Sequence, residues 1–178
     1  MLIINTKPED LETIRRLFDL AIEYQKSKTD NYWHGMNEAL IRKEIEEGLH
    51  WKIMEGDQIA CFFSVAYNDP LVWDERDADP SIYLHRIVTN PAFRGRGYVK
   101  NIVAWAEAFG RMAGKRFIRL DTYIGNAKLN AYYRDCGFDL CGAKTFEDDK
   151  GGKVPKHYLG PGGLSLFEKS INNPSDAI

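Results

Sequence analysis

Residues 81–89, SIYLHRIVT, run through NPAFRGRGYV into KNIVAWAEAFGRMAG. The first segment has strand character. The last carries an apolar stripe at Val99, Ile102, Val103, Ala106 and Phe109, which predicts a helix stopping near Gly114. The turn between them is tight and holds Gly95 and Gly97. Strand, glycine turn and helix in that order aim several unpaired backbone N–H groups at one point, with the helix macrodipole behind them. The glycines let the backbone approach a bulky anion, and Arg94, Arg96 and Lys100 add positive charge. A diphosphate suits such a cradle. Two nucleotide motifs are excluded: GxxxxGK[ST] does not occur, and Lys100 stands where GxGxxG needs its third glycine. The plain alternative is a glycine-rich connection with solvated basic residues.

The flanking sequence predicts an α/β chain. Leu2–Asn5 forms a first strand, and Thr6 with Glu9 suggests a capping box with Pro8 in the first helical turn. Leu11, Ile14, Leu17, Phe18, Ala21 and Ile22 follow at helical spacing, and a second helix spans about 36–47. Two strands flank a hairpin turn at 55–57, and NDPLVWDERDADP, residues 68–80, is expected to be an acidic loop. After the central strand–turn–helix come a strand over 117–122, a helix over 126–136 capped by Asn126 and closed by Gly137, and a strand over 138–146. HYLGPGGLSLFEK returns as a last strand with a bulge or break at its glycines.

Composition narrows the function classes. The length of 178 residues fits one compact domain spanning 1–178, with 171–178 a flexible tail. A net charge of −2 gives no footprint for nucleic acid. No apolar run approaches the ~20 residues of a membrane helix, and the N-terminus lacks a signal-peptide core. Cys61, Cys136 and Cys141 form no CxxC pair, and the four histidines show no clustered spacing, so neither a disulfide framework nor a metal site is suggested. The expectation is a cytoplasmic, metal-free protein.

FRGRGYV resembles the [Q/R]-x-x-G-x-[G/A] motif of the GNAT superfamily of acetyl-CoA-dependent N-acetyltransferases. Ile87-Val88-Thr89-Asn90-Pro91 looks like the strand that precedes that motif, and Asn126, Tyr133 and Cys136-Gly137-Phe138 resemble the family's N…Y-x-x-x-G-F signature. The match covers residues 82–140 at the family's spacing, and the elements on either side follow its order. The resemblance implies a mixed, mostly antiparallel sheet of about seven strands with helices on both faces. It also implies acetyl-CoA as co-substrate, with the amides of Gly95, Arg96, Gly97, Tyr98, Val99 and Lys100 and the Arg94 side chain around the pyrophosphate. The backbone of Ile87, Val88 and Thr89 would pair with the pantetheine arm, and Asn126 would contact the cofactor. Val99 departs from the family's Gly or Ala and is expected to crowd the anion. The acceptor would be a small-molecule amine, with a homodimer left open.

Acetyl transfer to an amine poses two proton problems. A lysine-like amine of pKa ~10.4 is neutral at pH 7 only about once in 2,500 molecules, so a base or water chain matters. The leaving thiolate needs an acid within hydrogen-bond reach. Tyr133 lies seven residues after Asn126, on the same helical face with Asn130 between them, and its phenol can donate without carrying charge. The resemblance assigns that tyrosine the acid role; packing beside Tyr132 is the alternative. Asp121, near the end of FIRLDT, is the candidate base, or else a strand-end carboxylate bonded to an amide or to Arg119. His85 is the second candidate. The run Asp69, Asp74, Glu75, Asp77 and Asp79 would attract a cationic amine or form a solvated loop, and Tyr24, Tyr32, Trp33 and Trp73 would line an acceptor pocket or pack. The leading reading is an N-acetyltransferase; a non-catalytic acyl-CoA sensor of the same fold is the alternative.

Overall fold

The computed structural model describes residues 1–30, 32–147, 154, 158 and 163–171. Strands β1 (Leu2–Asn5), β2 (His50–Glu55), β3 (Gln58–Ala66), β4 (Ser81–Thr89), β5 (Phe117–Tyr123), β6 (Asp139–Lys144) and β7 (Leu164–Ser170) form a sheet in the order β1-β2-β3-β4-β5-β7-β6. The helices are α1 (Leu11–Lys26), α2 (Glu38–Glu46), α3 (Pro70–Trp73), α4 (Tyr98–Met112) and α5 (Ala127–Asp135). Pairing is antiparallel for β1–β2, β2–β3, β5–β7 and β6–β7, and parallel for β4–β5. This is the mixed, mostly antiparallel seven-stranded α/β architecture that the family resemblance implies. No helix among the described residues is long and apolar enough to cross a membrane.

The chain packs as two compact units, Met1–Val65 with His85–Tyr98, and Ala66–Leu84 with the residues from Val99 onward. In the first, the apolar stripe of α1 (Leu11, Ile14, Leu17, Phe18, Ile22) meets Ile41 and Ile45 of α2, Ile59 and Phe62 of β3, and Val88 of β4. Spacings of three and four put these α1 residues on one face, which is what the sequence periodicity requires. The entry to α1 differs from expectation. Asp10, not Glu9, closes the turn by accepting the Lys7 N–H at 2.8 Å. Thr6 is buried instead, its hydroxyl 2.8 Å from Nδ1 of His50. Trp33 stacks on Phe18 with centroids 4.9 Å apart, so it serves the core.

In the second unit, the acidic segment is folded, not a loop. It forms α3 and a 3-10 turn over Asp74–Ala78, and Val72 and Trp73 pack with Tyr83, Leu164 and Leu166. Trp73 is therefore core. Its anchor is Arg119 of β5, a buried cation whose guanidinium bonds Asp79 at 2.8 Å and Glu168 at 2.7 Å and donates to the Arg76 carbonyl at 2.5 Å. The same group lies 4.8 Å from the Trp73 ring centroid. α4 approaches the opposite side of β4, since Ile82 and Tyr83 alternate. A Cβ on Gly110 would come within 3.0 Å of the Ile82 side-chain tip and 2.5 Å of that of Ile171, so a larger residue there would have to push both tips aside. The final strand starts at Leu164, and most of the expected HYLG portion lies outside the described residues. The tail expected from 171 is corrected at its first residue: Ile171 is buried, and its N–H bonds the Arg116 carbonyl at 2.8 Å. Residues 172–178 lie outside the described residues.

Removing one partner of a buried ion pair strands the other charges. Arg119→Ala is expected to destabilise the fold by roughly 3 kcal/mol, measured by urea unfolding. A loss below about 1 kcal/mol would show that the α3 segment holds without this anchor.

Candidate active site

In the first unit, the second half of β4 leads into the glycine turn. β4 is not regular there: Arg86 has φ 49°, in the left-handed region that non-glycine residues rarely adopt. Val88 is buried, while Ile87 and Thr89 keep part of their surface accessible. Asn90 then pins the turn three ways. Its N–H bonds the Ala60 carbonyl at 2.9 Å, its side-chain amide donates to Ile59 O at 3.0 Å, and its Oδ1 accepts the Ala92 N–H at 3.1 Å. Gly95 and Gly97 sit at φ 81° and 72°, and a Cβ added to either would meet nothing within 4 Å. The loop's outer face is thus bare backbone, flanked by exposed Arg94 and Arg96. Arg94 rests over the Tyr24 ring at 3.9 Å, which gives that tyrosine a place under the loop cation. Tyr98, buried, turns inward with its hydroxyl 3.4 Å from Glu55.

His85 is half-buried, and burial together with the Arg86 charge pushes it down to about 3. A ring that weakly basic is a poor proton acceptor near neutral pH. That weighs against the histidine as base.

In the second unit, Lys100 is exposed in the first turn of α4, while Val99 is buried at 8 % exposure. The branched side chain is thus taken up in packing. On α5, Asn126 is the N-cap, accepting the Leu129 N–H at 3.1 Å, and Tyr133 packs against Phe138 and Phe167 with centroids 6.2 and 5.7 Å away. Asn126, Asn130 and Tyr133 share one helical face at spacings of four and three. Asn130 Oδ1 is buried there without a hydrogen-bond partner, an acceptor that a bound amide donor would satisfy. This face fits an amide-bearing cofactor.

The β4–β5 ladder pairs Ser81, Ile82 and Tyr83 with Phe117, Ile118 and Arg119. Asp121 lies two residues past the last of these pairs. It is not the salt-bridge partner of Arg119, which is held by Asp79 and Glu168. Its carboxylate lies within 4.8 Å of that of Asp69, at the entrance to α3. Burial and the nearby Asp77 push the Asp69 carboxyl up to about 6, against the Val72 amide bond that lowers it. Tyr123, next on the same strand face, keeps a buried hydroxyl without a hydrogen-bond partner. A cleft of about 920 Å³ opens nearer β6, lined in part by Trp73, Asp74, Glu75, Lys144 and Leu166. Its acidic lip is partly spent, because Asp74 pairs with Lys144.

A family model for the acetyltransferase (GNAT) family matches residues 13–138. The chain belongs to this family. It is 27% identical over 171 residues to the uncharacterized N-acetyltransferase YesJ of Bacillus subtilis, covering 92% of this chain and 86% of the relative. It is 24% identical over 136 residues to an aminoglycoside N(6')-acetyltransferase type 1 of Salmonella enteritidis, covering 71% and 90%. A crystal structure of a GNAT-family acetyltransferase from Listeria monocytogenes superposes with a TM-score of 0.75 at 26% identity, covering 95% of this chain and 94% of that one. Sequence reasoning reached the GNAT loop and signature but missed the kink at Arg86, the pinning role of Asn90 and the Asp69–Asp121 pair. Only the Asn-Pro dipeptide carried a readable signal, for a turn.

The Asp69 carboxyl has a linked stability effect. Its folded value, about 6, lies above the ordinary value of 3.8, so the folded state holds the extra proton between the two. Its favourable contribution is complete below pH 3.8 and lost as pH rises through 6. Asp69→Asn, which keeps the amide acceptor, is expected to gain about 1–2 kcal/mol over the parent at pH 7.5 and almost nothing at pH 4. Equal gains at both pH values would place the carboxyl in an ordinary solvated setting.

Proposed function

We propose that this chain is an N-acetyltransferase whose single domain, residues 1–178, moves the acetyl group of acetyl-CoA onto a small or cationic primary amine by direct attack. The observation that carries the reading is the bare glycine loop, pinned by Asn90 and flanked by exposed cations, which runs into α4 in a member of the GNAT family. The backbone amides of residues 95–100, with Arg94, Arg96 and Lys100, bind the pyrophosphate. The backbone of Ile87, Val88 and Thr89 receives the pantetheine arm, and Asn126 contacts the cofactor. The thioester supplies an acyl carbon open to attack.

The amine nitrogen forms the new C–N bond while the C–S bond breaks, and two protons must be handled. Asp121, whose carboxylate lies within 4.8 Å of that of Asp69, accepts the proton shed by the amine. Tyr133 donates its phenolic proton to the leaving thiolate. The state of the cysteines supports direct attack over a covalent acetyl-enzyme. Burial pushes Cys61 up to about 12 and also raises Cys136 and Cys141, so none is primed as a thiolate. All three are free thiols, in keeping with a cytoplasmic setting. Two carboxylates within 4.8 Å favour a cationic acceptor, and the aminoglycoside enzyme among the relatives points to the same substrate class.

Release of CoA thiol from acetyl-CoA across a panel of amines tests the activity. Turnover is expected with small polyamines or amino sugars and not with neutral alcohols; no release with any amine would support the sensor reading. Arg94→Glu combined with Arg96→Glu is expected to weaken CoA binding at least tenfold by calorimetry, since several counterion contacts are reversed. Unchanged affinity would move the pyrophosphate elsewhere. Tyr133→Phe is expected to lower kcat by ~10²–10⁴-fold with acetyl-CoA affinity nearly kept. Normal turnover in that variant would leave Tyr133 as a packing residue.

A further inference from the structure

Among the described residues, only Arg86 and Asp74 are non-glycine residues at positive φ. Arg86 is the more unusual, because it lies inside a strand, where an extended backbone costs nothing. Left-handed conformations in side-chain-bearing residues persist only when their surroundings hold them. What holds Arg86 is visible. Its guanidinium pairs with Glu44 of α2, and the other oxygen of that carboxylate accepts the Ser64 hydroxyl of β3 at 2.8 Å. Glu44 is 8 % exposed, on a helix face whose neighbours Ile41 and Ile45 are core. A carboxylate so placed is costly unless its charge is met. The Arg86 charge also reaches His50, which burial and this cation together push down to about 3. His50 is thus neutral and adds no rival cation beside Glu44.

We infer that Glu44 is a positioning residue for acetyl-CoA: through its ion pair with Arg86 it holds the left-handed kink in β4 that sets how the backbone of Ile87, Val88 and Thr89 faces the pantetheine arm. The inference rests on the proposed acetyl-CoA reading of this strand. A single left-handed residue inside a strand re-aims the groups that follow it. Released from Glu44, Arg86 relaxes to an extended angle, and residues 87–89 lose their orientation. Stability alone does not explain the arrangement, because an apolar residue at 44 would pack with Ile41 and Ile45 without the cost of burying a charge.

Two substitutions at one position separate the kink from the ion pair. Arg86→Ala and Arg86→Gly both remove the guanidinium, but glycine accepts φ 49° and alanine resists it. Acetyl-CoA affinity by calorimetry, taken well below each variant's melting temperature, is expected to fall on the order of tenfold in Arg86→Ala and to stay within about threefold of the parent in Arg86→Gly. Glu44→Gln is expected to weaken binding like Arg86→Ala, and adding Arg86→Gly to it to restore affinity. If Ala and Gly at 86 bind alike, the kink does not position the cofactor and the inference is overturned. A drop in melting temperature with affinity unchanged overturns it equally, as a purely structural ion pair. Should Glu44→Gln fail to fold, the comparison at position 86 decides alone. A parent protein that binds no acetyl-CoA would instead overturn the function reading, a distinct result seen before any variant is made.

Discussion

The buried guanidinium of Arg119 organises the second unit. A cation with 1 % side-chain exposure needs opposite charge and acceptors at close range, and the chain supplies them from three directions. Asp79 and the Arg76 carbonyl come from the segment after α3, Glu168 from β7, and the Tyr83 hydroxyl, 3.2 Å away, from β4. The rings of Trp73 and Phe117 cover its faces. Each contact draws the stretch between β3 and β4 onto β5. Asp69 opens that stretch and Asp121 follows Arg119 by two residues, so the anchor brings the two carboxylates together. The candidate base is a consequence of the anchor.

That anchor also changes the electrostatic meaning of the acidic run. As a string of letters it resembles a solvated loop with a long-range negative field. In the fold, Asp79 neutralises Arg119, Asp74 pairs with Lys144, and Asp77 accepts the Asp69 N–H at 2.6 Å. Two of the five acids of the run are thereby met by cations, which reduces the field available for steering from a distance. What the fold adds is local: the Asp69 carboxyl, desolvated beside Asp77. Recognition of a cationic amine is therefore expected to come from short-range contact with few groups and to depend less on ionic strength than a loop of bare carboxylates would.

The fold was largely legible because its signals are local. Helical spacing marked α1 and α4, Asn126 and Gly137 bracketed α5, and the glycine turn after SIYLHRIVT announced itself by residue type. The miscast pieces all needed tertiary information. Thr6 looks like a cap until His50 claims its hydroxyl, and Asp10 then takes over the turn. Trp33 looks like a pocket wall until Phe18 is brought against it, whereas Trp73 takes both of its possible roles, packed on Arg119 and lining the cleft near β6. Glu44 looks like a solvated helix residue among EALIRKEIE, since nothing in that string reveals Ser64 and Arg86 beside it. A left-handed arginine has no sequence signature at all; glycine or asparagine would have been the visible choice.

Each unit thus contains a buried ionic cluster, and neither is economical as a source of stability. Well-packed apolar side chains of similar volume commonly match or exceed buried ion pairs in net free energy. Ion pairs have something that apolar packing lacks, namely direction. Arg119 meets Asp79 and Glu168 through defined hydrogen-bond geometry, so the segment carrying Asp69 is set in register against β5 and not merely held near it. Glu44 likewise fixes one backbone angle in β4, which no set of methyl contacts would select over the extended alternative. The two clusters lie beside the segments from which acetyl transfer would draw its base and its cofactor strand. Directional placement of those segments accounts for charges that the energetics of folding alone would replace.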